Sequence, residues 1–134
     1  MDIRQFAVKE CARLVLNDAK GDPITNEAGQ EVAVHVYGPG SKPFAKAKNA
    51  QSNRMIDKIK TKGKSEQTPE QTAKETAEFL AECTESFENL DRDGLTGHAL
   101  AVAVYADISI GFIAEQVNKH IGDWANFLPA STKS

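Results

Sequence analysis

The chain has 134 residues, of which 40% are hydrophobic and 26% charged, with a formal net charge of −3. This size suits a single domain that can bury a core without disulfide or metal support. The sequence has no apolar run near the ~18 residues of a membrane helix and no signal-peptide pattern at its start. We therefore expect one cytoplasmic domain over residues 1–128 and a flexible tail at 129–134.

The charge is strongly segregated along the chain. Residues 40–64 carry eight basic side chains and one acidic one, a net charge of +7. Residues 65–134 carry twelve acidic and four basic side chains, a net charge of −8. A basic segment beside an acidic body can pair within one molecule, pair between subunits or attract a charged partner. The sequence leaves these three alternatives open.

The residues that most often carry chemistry are scattered. Cys11 and Cys83 lie far apart, so two buried free thiols in a reducing cytosol are the expected state and a disulfide is the alternative. His35, His98 and His120 lack the close spacing that zinc sites commonly show. No nucleophile, acid–base pair or metal set can be assembled from neighbouring residues. We therefore expect no enzymatic activity, no metal and no cofactor.

Two short stretches imitate known motifs but lack an essential residue. Residues 89–94 resemble the start of a calcium-binding loop, yet Leu100 occupies the position where an EF-hand has a bidentate glutamate. Residues 63–65 resemble the end of a phosphate-binding loop, but Lys58 stands where the first glycine is required. We interpret the first stretch as a turn and reject the second as a phosphate site.

An antiparallel β-hairpin is predicted over about residues 10–37. Residues 12–16 and 32–36 both carry apolar side chains at every even-numbered position, which is the pattern of a strand with one buried face. Turn signals at 21–23 and 26–29 lie between them, so the connection should be long and kinked. Because two strands alone are marginally stable in water, helices must cover one face of the hairpin.

The basic segment forms the first of four predicted helices over about residues 41–128. Ser41 is its expected N-cap and Gly63 its expected end. The second helix begins with a capping-box pattern at Thr68, and its apolar side extends as far as Phe87. The side of the first helix that should face the core consists of Phe44, Ala47, Met55, Ile56 and Ile59.

The last two helices complete the predicted fold. Thr96 is the expected N-cap of a short third helix, after the turn at 89–94. Asp107 or Ser109 should open the fourth helix, which should end at Pro129. The predicted class is therefore α+β, with an N-terminal antiparallel β-hairpin packed against about four α-helices.

The final helix carries more apolar surface than one core face requires. One stripe with spacings of three and four residues should face the core, while Phe112 and Phe127 fall outside it. Aromatic rings beside a packed stripe suit a protein partner, because rigid rings give a large contact area at little entropic cost. The stripe consists of Ile110, Ile113, Val117, Ile121, Trp124 and Leu128.

Six short segments form a pattern that runs from about residue 10 to residue 128. They are YGPGSK at 37–42, NR at 53–54 within an Ala-, Lys- and Gln-rich helix, DGLTG at 93–97, VYAD at 104–107, IGFIAEQV at 110–117 and GDWANF at 122–127. This pattern resembles that of tail assembly chaperone-like proteins, which are encoded in the tail modules of long-tailed phages and prophages.

The resemblance implies a non-enzymatic chaperone that acts in the cytoplasm of the bacterial host and is absent from the mature virion. Its partner would be the tape measure protein, a long helical protein that is kept soluble while tail tube subunits polymerise around it. Many such chaperones also exist in a longer, frameshifted form that recruits the tail tube protein. This chain would correspond to the shorter form or to a member without an extension.

A chaperone for a helical client needs an apolar groove or helix face. We expect Phe112 and Phe127 to contribute to that surface, together with Ile110 and Trp124. Packing in the core is the competing interpretation, most strongly for Ile110 and Trp124, because both lie on the stripe. The segregated charge would support binding of the tape measure protein or self-association.

Two other functions stay open at this point. One is a structural tail or head–tail joining protein that is retained in the virion. The other is a nucleic-acid-binding protein that uses the basic helix for phosphate contacts. That helix lacks interleaved aromatic residues and the sequence pI is about 5.6, so we do not expect nucleic acid as the main partner.

Overall fold

The computed structural model describes residues 1–62 and 68–128 of the chain. Within these residues, three strands form one antiparallel sheet and are accompanied by four α-helices, which confirms the predicted α+β class. The elements in chain order are the N-terminal 3₁₀ turn (Ile3–Phe6), β1 (Cys11–Val15), β2 (Ala33–Tyr37), α1 (Lys42–Lys62), α2 (Pro69–Glu82), β3 (Thr84–Glu88), α3 (Gly97–Ala106), the junction turn (Ile108–Ile110), α4 (Gly111–Ile121) and the C-terminal turn (Trp124–Phe127).

The predicted hairpin is confirmed. β1 and β2 pair in antiparallel register, with Ala12 opposite Val36 and Leu14 opposite Val34. The even-numbered face is the buried one, and Leu16 at the end of the pattern is fully buried. The long connection folds back on itself through isolated bridges, as the two turn signals indicated.

A third strand lies where the second helix was expected to continue. α2 ends at Glu82, and β3 then pairs antiparallel with β2, placing Phe87 opposite Val34. The extension of α2 to Phe87 is therefore wrong. Pairing with β2 supplies the backbone hydrogen bonds that a longer helix would have supplied, beginning with Tyr37 N–H to the Cys83 carbonyl at 2.7 Å.

The starts of α1 and α2 agree with their predicted caps. The Ser41 hydroxyl accepts a hydrogen bond from the Phe44 backbone N–H at 3.2 Å. Thr68 and Gln71 form the reciprocal capping box, with bonds of 3.2 and 3.0 Å. The expected helix end at Gly63 lies outside the described residues. Met55, Ile56 and Ile59 do not face the core as expected, because their side chains are exposed.

The predicted long final helix is wrong, because the chain forms three separate pieces there. Asp107 caps the junction turn, and α4 runs only from Gly111 to Ile121. The chain then bends at Gly122, and Asp123 caps the C-terminal turn. Thr96 occupies the predicted N-cap position of α3 but makes no side-chain capping bond. The expected end at Pro129 and the tail lie outside the described residues.

One hydrophobic cluster joins the hairpin to the inner faces of the helices. It combines even-numbered side chains of the two strands with α2, α3 and α4, and it includes Leu16, Val34, Leu80, Val104, Val117 and Phe127. α2 and α3 share the most extensive helix packing.

No single helix among residues 1–62 and 68–128 is long and apolar enough to span a membrane. Among these residues, α3 and the segment Ile108–Ile121 have sufficient length and apolar character only when they are taken together, and the two are bent by 78° relative to each other.

Asp107 fixes the junction between α3 and α4. Its carboxylate accepts bonds from the Ser109 hydroxyl at 2.6 Å, the Ser109 backbone N–H at 3.0 Å and Arg92 Nη1 at 2.8 Å. These bonds, with that from the Ser109 side chain as the largest cause, lower the pKa of Asp107 from 3.8 to about 2. The ionised carboxylate therefore stabilises the folded state above its unfolded pKa, and this contribution is lost as the pH falls through the folded value.

We predict that Asp107→Asn lowers the Tm at neutral pH, because the asparagine keeps an acceptor for Ser109 but loses the charge that faces Arg92. The Tm difference between wild type and variant should shrink as the pH falls from about 4 to about 2, where the wild-type carboxylate becomes protonated. Thermal unfolding followed by circular dichroism across this range measures the effect. A Tm difference that stays constant down to pH 2 would contradict it.

Candidate functional site

Phe127 is a core residue, so the prediction that its ring is available to a partner is wrong. Its side chain is 0% exposed. The ring lies so close to the backbone of Gly38 that a Cβ atom there would be 2.5 Å from two ring carbons. Because the helix ends before Phe127, the separate C-terminal turn directs this ring inward, and the Phe127 carbonyl accepts a bond from Lys9 N–H at 2.7 Å.

Trp124 differs from its prediction in the opposite direction, because it was expected to be buried and is exposed. It lies on the stripe that was expected to face the core, yet its side chain is 56% exposed. Leu128, the last residue of that stripe, is exposed as well. Spacings of three and four residues place side chains on one side only within a helix, and α4 ends at Ile121. Of the stripe, only Ile113, Val117 and Ile121 are therefore buried. Trp124 is therefore a surface residue.

The other two candidate residues are half-buried. Ile110 of the junction turn and Phe112 near the start of α4 both pack against the hydrophobic core. Phe112 lines a shallow depression beside Asn17 and Gln116, which exchange hydrogen bonds of 2.8 and 2.7 Å. The structure thus places Phe127 in the core, Trp124 on the surface and the remaining two between these extremes. The four residues do not share one exposed face.

The second half of α1 presents an apolar surface, although the sequence pattern predicted that these residues face the core. We call Met55, Ile56 and Ile59 the α1 patch; their side chains are 52%, 48% and 48% exposed. Ile59 lies four residues after Met55 and three after Ile56, so its side chain neighbours both of the others along the helix. The sequence carried a signal for this surface, because the apolar side predicted for α1 was wider than the core can cover.

Other residues of α1 fasten it to α2. Phe44 meets Phe79 edge-on with ring centroids 5.9 Å apart, and Lys48 Nζ lies 5.1 Å from the centre of the Phe79 ring. Arg54 Nη1 pairs with a Glu82 carboxylate oxygen at 3.1 Å. Lys58 pairs in the same way with Glu75 of α2. At these positions the basic segment pairs with the acidic body within one molecule, and the α1 patch extends beyond the edge of this contact.

Basic side chains lie along the exposed side of α1. Lys42 and Lys46 are exposed near its start, and Lys60 is exposed one turn after Ile56. Among the described residues these three lysines form no ion pair, in contrast to the two basic residues that face α2. The exposed surface of α1 therefore includes the α1 patch and, at other positions around the helix, these three lysines.

A second apolar surface lies between α2 and α4. It is a groove of about 490 Å³ whose walls include Ala73, Thr76, Gly111 and Ala114. Ile108 of the junction turn lines the groove and is 69% exposed. The groove has small side chains and Asp107 and Glu115 among its lining residues, so its charge is opposite to that of α1.

The sheet carries an ion-pair cluster on its outer face. Glu88 accepts two bonds from the Arg13 guanidinium, at 2.8 and 3.2 Å, and contacts His35 Nε2. The bonds from Arg13, followed by that from His35, hold the pKa of Glu88 below its usual value. This arrangement occupies the carboxylate with a bidentate partner, which links the three strands across the sheet.

The two thiols are free, as expected, but their burial differs. Cys83 is buried and Cys11 is half-buried. Burial raises the pKa of Cys83 to about 12 and is also the main cause that raises the pKa of Cys11 to about 11. Both are therefore protonated at neutral pH and are weak nucleophiles. In the part of the chain that the structure describes, no three His, Cys, Asp or Glu side chains form a group that could hold a metal ion.

In its described residues the chain is a small α+β domain with a three-stranded antiparallel sheet, four helices and an exposed apolar patch on α1. No family model, no curated protein and no solved structure matches this chain.

Proposed function

We propose that the protein is a non-enzymatic tail assembly chaperone of a long-tailed phage or prophage. In this proposal the α1 patch binds helical segments of the tape measure protein and keeps that protein soluble during assembly of the tail tube. The observation that carries the proposal is the exposure of Met55, Ile56 and Ile59, which lie outside the buried hydrophobic cluster of the domain. The resemblance of the six sequence segments supplies the identity of the client.

The physics of the client fits such a surface. A long helical protein without its final neighbours exposes apolar stripes, which aggregate unless another surface covers them. An exposed helix can cover such a stripe by laying its own apolar side chains against it. Three half-exposed side chains give only weak binding at a single site. Many copies bound along one long client would protect it collectively, provided that each copy can dissociate when tube subunits arrive.

The proposal also defines where the protein acts. It works in the cytoplasm of the bacterial host and leaves before the virion is complete. A longer frameshifted form, if the gene produces one, recruits the tail tube protein to the coated client. Exposed Trp124 and the half-buried Phe112 and Ile110 are the remaining candidates from the sequence for an additional contact with a partner.

Co-expression with the tape measure protein of the same tail module tests the proposal. We predict that the wild-type chain raises the soluble yield of the tape measure protein and co-purifies with it. The double variant Ile56→Asp and Ile59→Asp should lower the amount of co-purified client by at least about tenfold, because two charges enter the apolar contact. Ile3→Asp is the matched control, since Ile3 is also an exposed isoleucine but belongs to the N-terminal 3₁₀ turn and lies outside the α1 patch.

The controls separate binding from folding. Substitutions at exposed positions usually change stability by about 0.5 kcal/mol or less, so all variants should unfold at nearly the wild-type denaturant concentration. Failure of the wild type to co-purify with or solubilise the tape measure protein would overturn the proposal. Mass spectrometry of purified virions gives a second test, since abundant copies of the chain in the particle would instead identify a structural tail or head–tail joining protein.

A further inference from the structure

β3 is an edge strand of the sheet, and one side of its backbone is open. The strand order is β1-β2-β3, so β3 pairs with β2 alone. Tyr37 N–H donates to the Cys83 carbonyl, which shows that the odd-numbered residues of β2 direct their backbone groups toward β3. Ser86 and Glu88 lie opposite such residues, so the N–H and C=O of Phe87 between them point away from β2. Among the described residues, no backbone group pairs with Phe87 on that side.

A groove of about 540 Å³ runs beside this open edge. It is bordered by the end of α2, by β3, by the loop that follows β3 and by the start of α3. We call it the β3 groove; its large apolar lining residues are Phe87, Leu90, Leu95 and Leu100. The Phe87 ring lies 5.8 Å from the Tyr105 ring, and Leu95 is 38% exposed, so the apolar lining extends from the core to the surface.

The polar rim of the β3 groove is acidic. Glu85 and Asp91 line the groove and are exposed, and neither forms an ion pair among the described residues. Glu82, a third acid of the lining, pairs with Arg54. No lysine or arginine is among the described residues that line the groove. Basic groups supplied by a partner therefore meet uncompensated negative charge at this rim.

Glu85 and Phe87 project from opposite faces of β3. A carboxylate oxygen of Glu85 lies 3.5 Å from Cys11 Sγ. Cys11 is two residues before Arg13 in β1, so both side chains are on the outer face of the sheet, whereas the Phe87 ring is on the buried face. A strand added beside β3 would thus meet a carboxylate on one face and an apolar groove on the other.

We infer that the open edge of β3 and the β3 groove bind an extended segment of another protein, in which apolar residues alternate with lysine or arginine. The segment adds a fourth strand to the sheet and pairs with the backbone of Phe87. Its apolar side chains enter the β3 groove, and its basic side chains lie beside Glu85. This site shares no residue with the α1 patch and goes beyond the proposed binding of a helical client.

The open edge and its charge favour such a segment over a helix or a second copy of this chain. A helix satisfies most of its own backbone N–H and C=O groups, so it has few to offer to Phe87. A second copy of β3 would bring another Glu85 to the same edge, and like charges on adjacent strands repel. Acidic side chains and the bulge in β3 are features that protect edge strands from such self-pairing, whereas a basic segment is attracted to them.

Synthetic peptides test this mode of binding on the full chain. The parent peptide is TKVKLKVT, with blocked ends and a fluorescent label. One variant carries N-methyl groups on its three apolar residues and the other on its three lysines, so each lacks the N–H donors along one edge of the extended peptide. Fluorescence anisotropy should show that one variant keeps the affinity of the parent while the other binds at least about tenfold more weakly. Equal affinity for the two variants, or no binding of the parent, would overturn the inference.

Charge reversal at the rim provides the complementary test. The double variant Glu85→Lys and Asp91→Lys should bind the peptide TEVELEVT more tightly than TKVKLKVT, which reverses the wild-type preference. The matched control, Asp22→Lys and Glu27→Lys, changes two exposed acids of the hairpin connection and should keep the wild-type preference. An unchanged preference in the rim variant would contradict the inference.

Sedimentation of the free protein examines the competing occupant. Leu95→Asp places a charge in the β3 groove and should weaken binding of TKVKLKVT, whereas Leu128→Asp, at an exposed leucine outside the groove, should not. If the wild type sediments as a dimer that Leu95→Asp dissociates, and TKVKLKVT does not bind, a second copy occupies the edge and the inference is overturned. The proposed function stands in that case, because these variants leave the α1 patch unchanged.

Discussion

Replacement of Phe127 by alanine is expected to lower the free energy of unfolding by about 3–5 kcal/mol, which is typical of a fully buried phenylalanine. The ring has no exposed surface, meets the His120 ring at an angle of 57° with centroids 5.8 Å apart, and lies against the Gly38 backbone. Because small domains are stable by only about 5–15 kcal/mol, this single change removes a large part of the total. Urea unfolding followed by far-ultraviolet circular dichroism measures the loss.

The contact between Phe127 and Gly38 adds a sharper test. A methyl group at residue 38 would lie 2.5 Å from the ring, so Gly38→Ala should cost about 1–3 kcal/mol through overpacking. In the Phe127→Ala background the added methyl group meets a cavity, and the cost of Gly38→Ala should largely disappear. Gly111→Ala is the control, since a Cβ atom there has nothing within 4 Å. Equal costs of Gly38→Ala in both backgrounds would show that the ring is not the obstacle.

The sequence predicted those elements whose signals are local. The alternation in residues 12–16 and 32–36 placed the hairpin correctly, since one face of each strand is buried and a period of two follows directly. Ser41 and Thr68 marked helix starts because a capping side chain bonds a backbone N–H only three residues away. Each of these features depends on a few neighbouring residues, and each was found.

The elements that depend on distant partners were missed. β3 has a mostly polar sequence, TESFE, and becomes a strand because the free edge of β2 is available to it. The apolar spacing of the final helix continued past Gly122 by coincidence, so Trp124 and Phe127 exchanged their expected environments. A local signal for the end of α4 was present, since Gly122 is a typical residue at a helix end and Asp123 can cap the turn that follows.

The candidate surface was missed for a related reason. Periodicity reveals which residues of α1 are apolar, but it does not reveal how much of that side α2 can cover. Phe44 and Ala47 face inward as predicted, whereas the α1 patch extends beyond the edge of the core. Only the packing of α1 on α2 decides which apolar residues become interior and which become available to a partner.

Phe79 anchors α1 to α2. Its replacement should therefore lower the stability of the domain strongly and should loosen α1 more than the other elements. Its ring is nearly buried and contacts both Phe44 and Lys48 of α1. We predict that Phe79→Ala lowers the free energy of unfolding by about 3–5 kcal/mol. Hydrogen exchange should accelerate most in α1, because α1 packs chiefly on α2 and loses its main aromatic contact.

The milder variant Phe44→Ala isolates this effect, because Phe44 belongs to α1 and is only half-buried. It should accelerate hydrogen exchange in α1, while exchange in β1 and β2 stays at the wild-type rate. A uniform acceleration across the domain would instead show that α1 and the sheet open together. A helix that opens separately can be stabilised by a ligand without any change elsewhere, since ligand binding lowers exchange in the segment that it orders. Slower exchange in α1 on addition of a helical client, in the wild type and in Phe44→Ala alike, would therefore place the client on α1 independently of any mutation in the α1 patch.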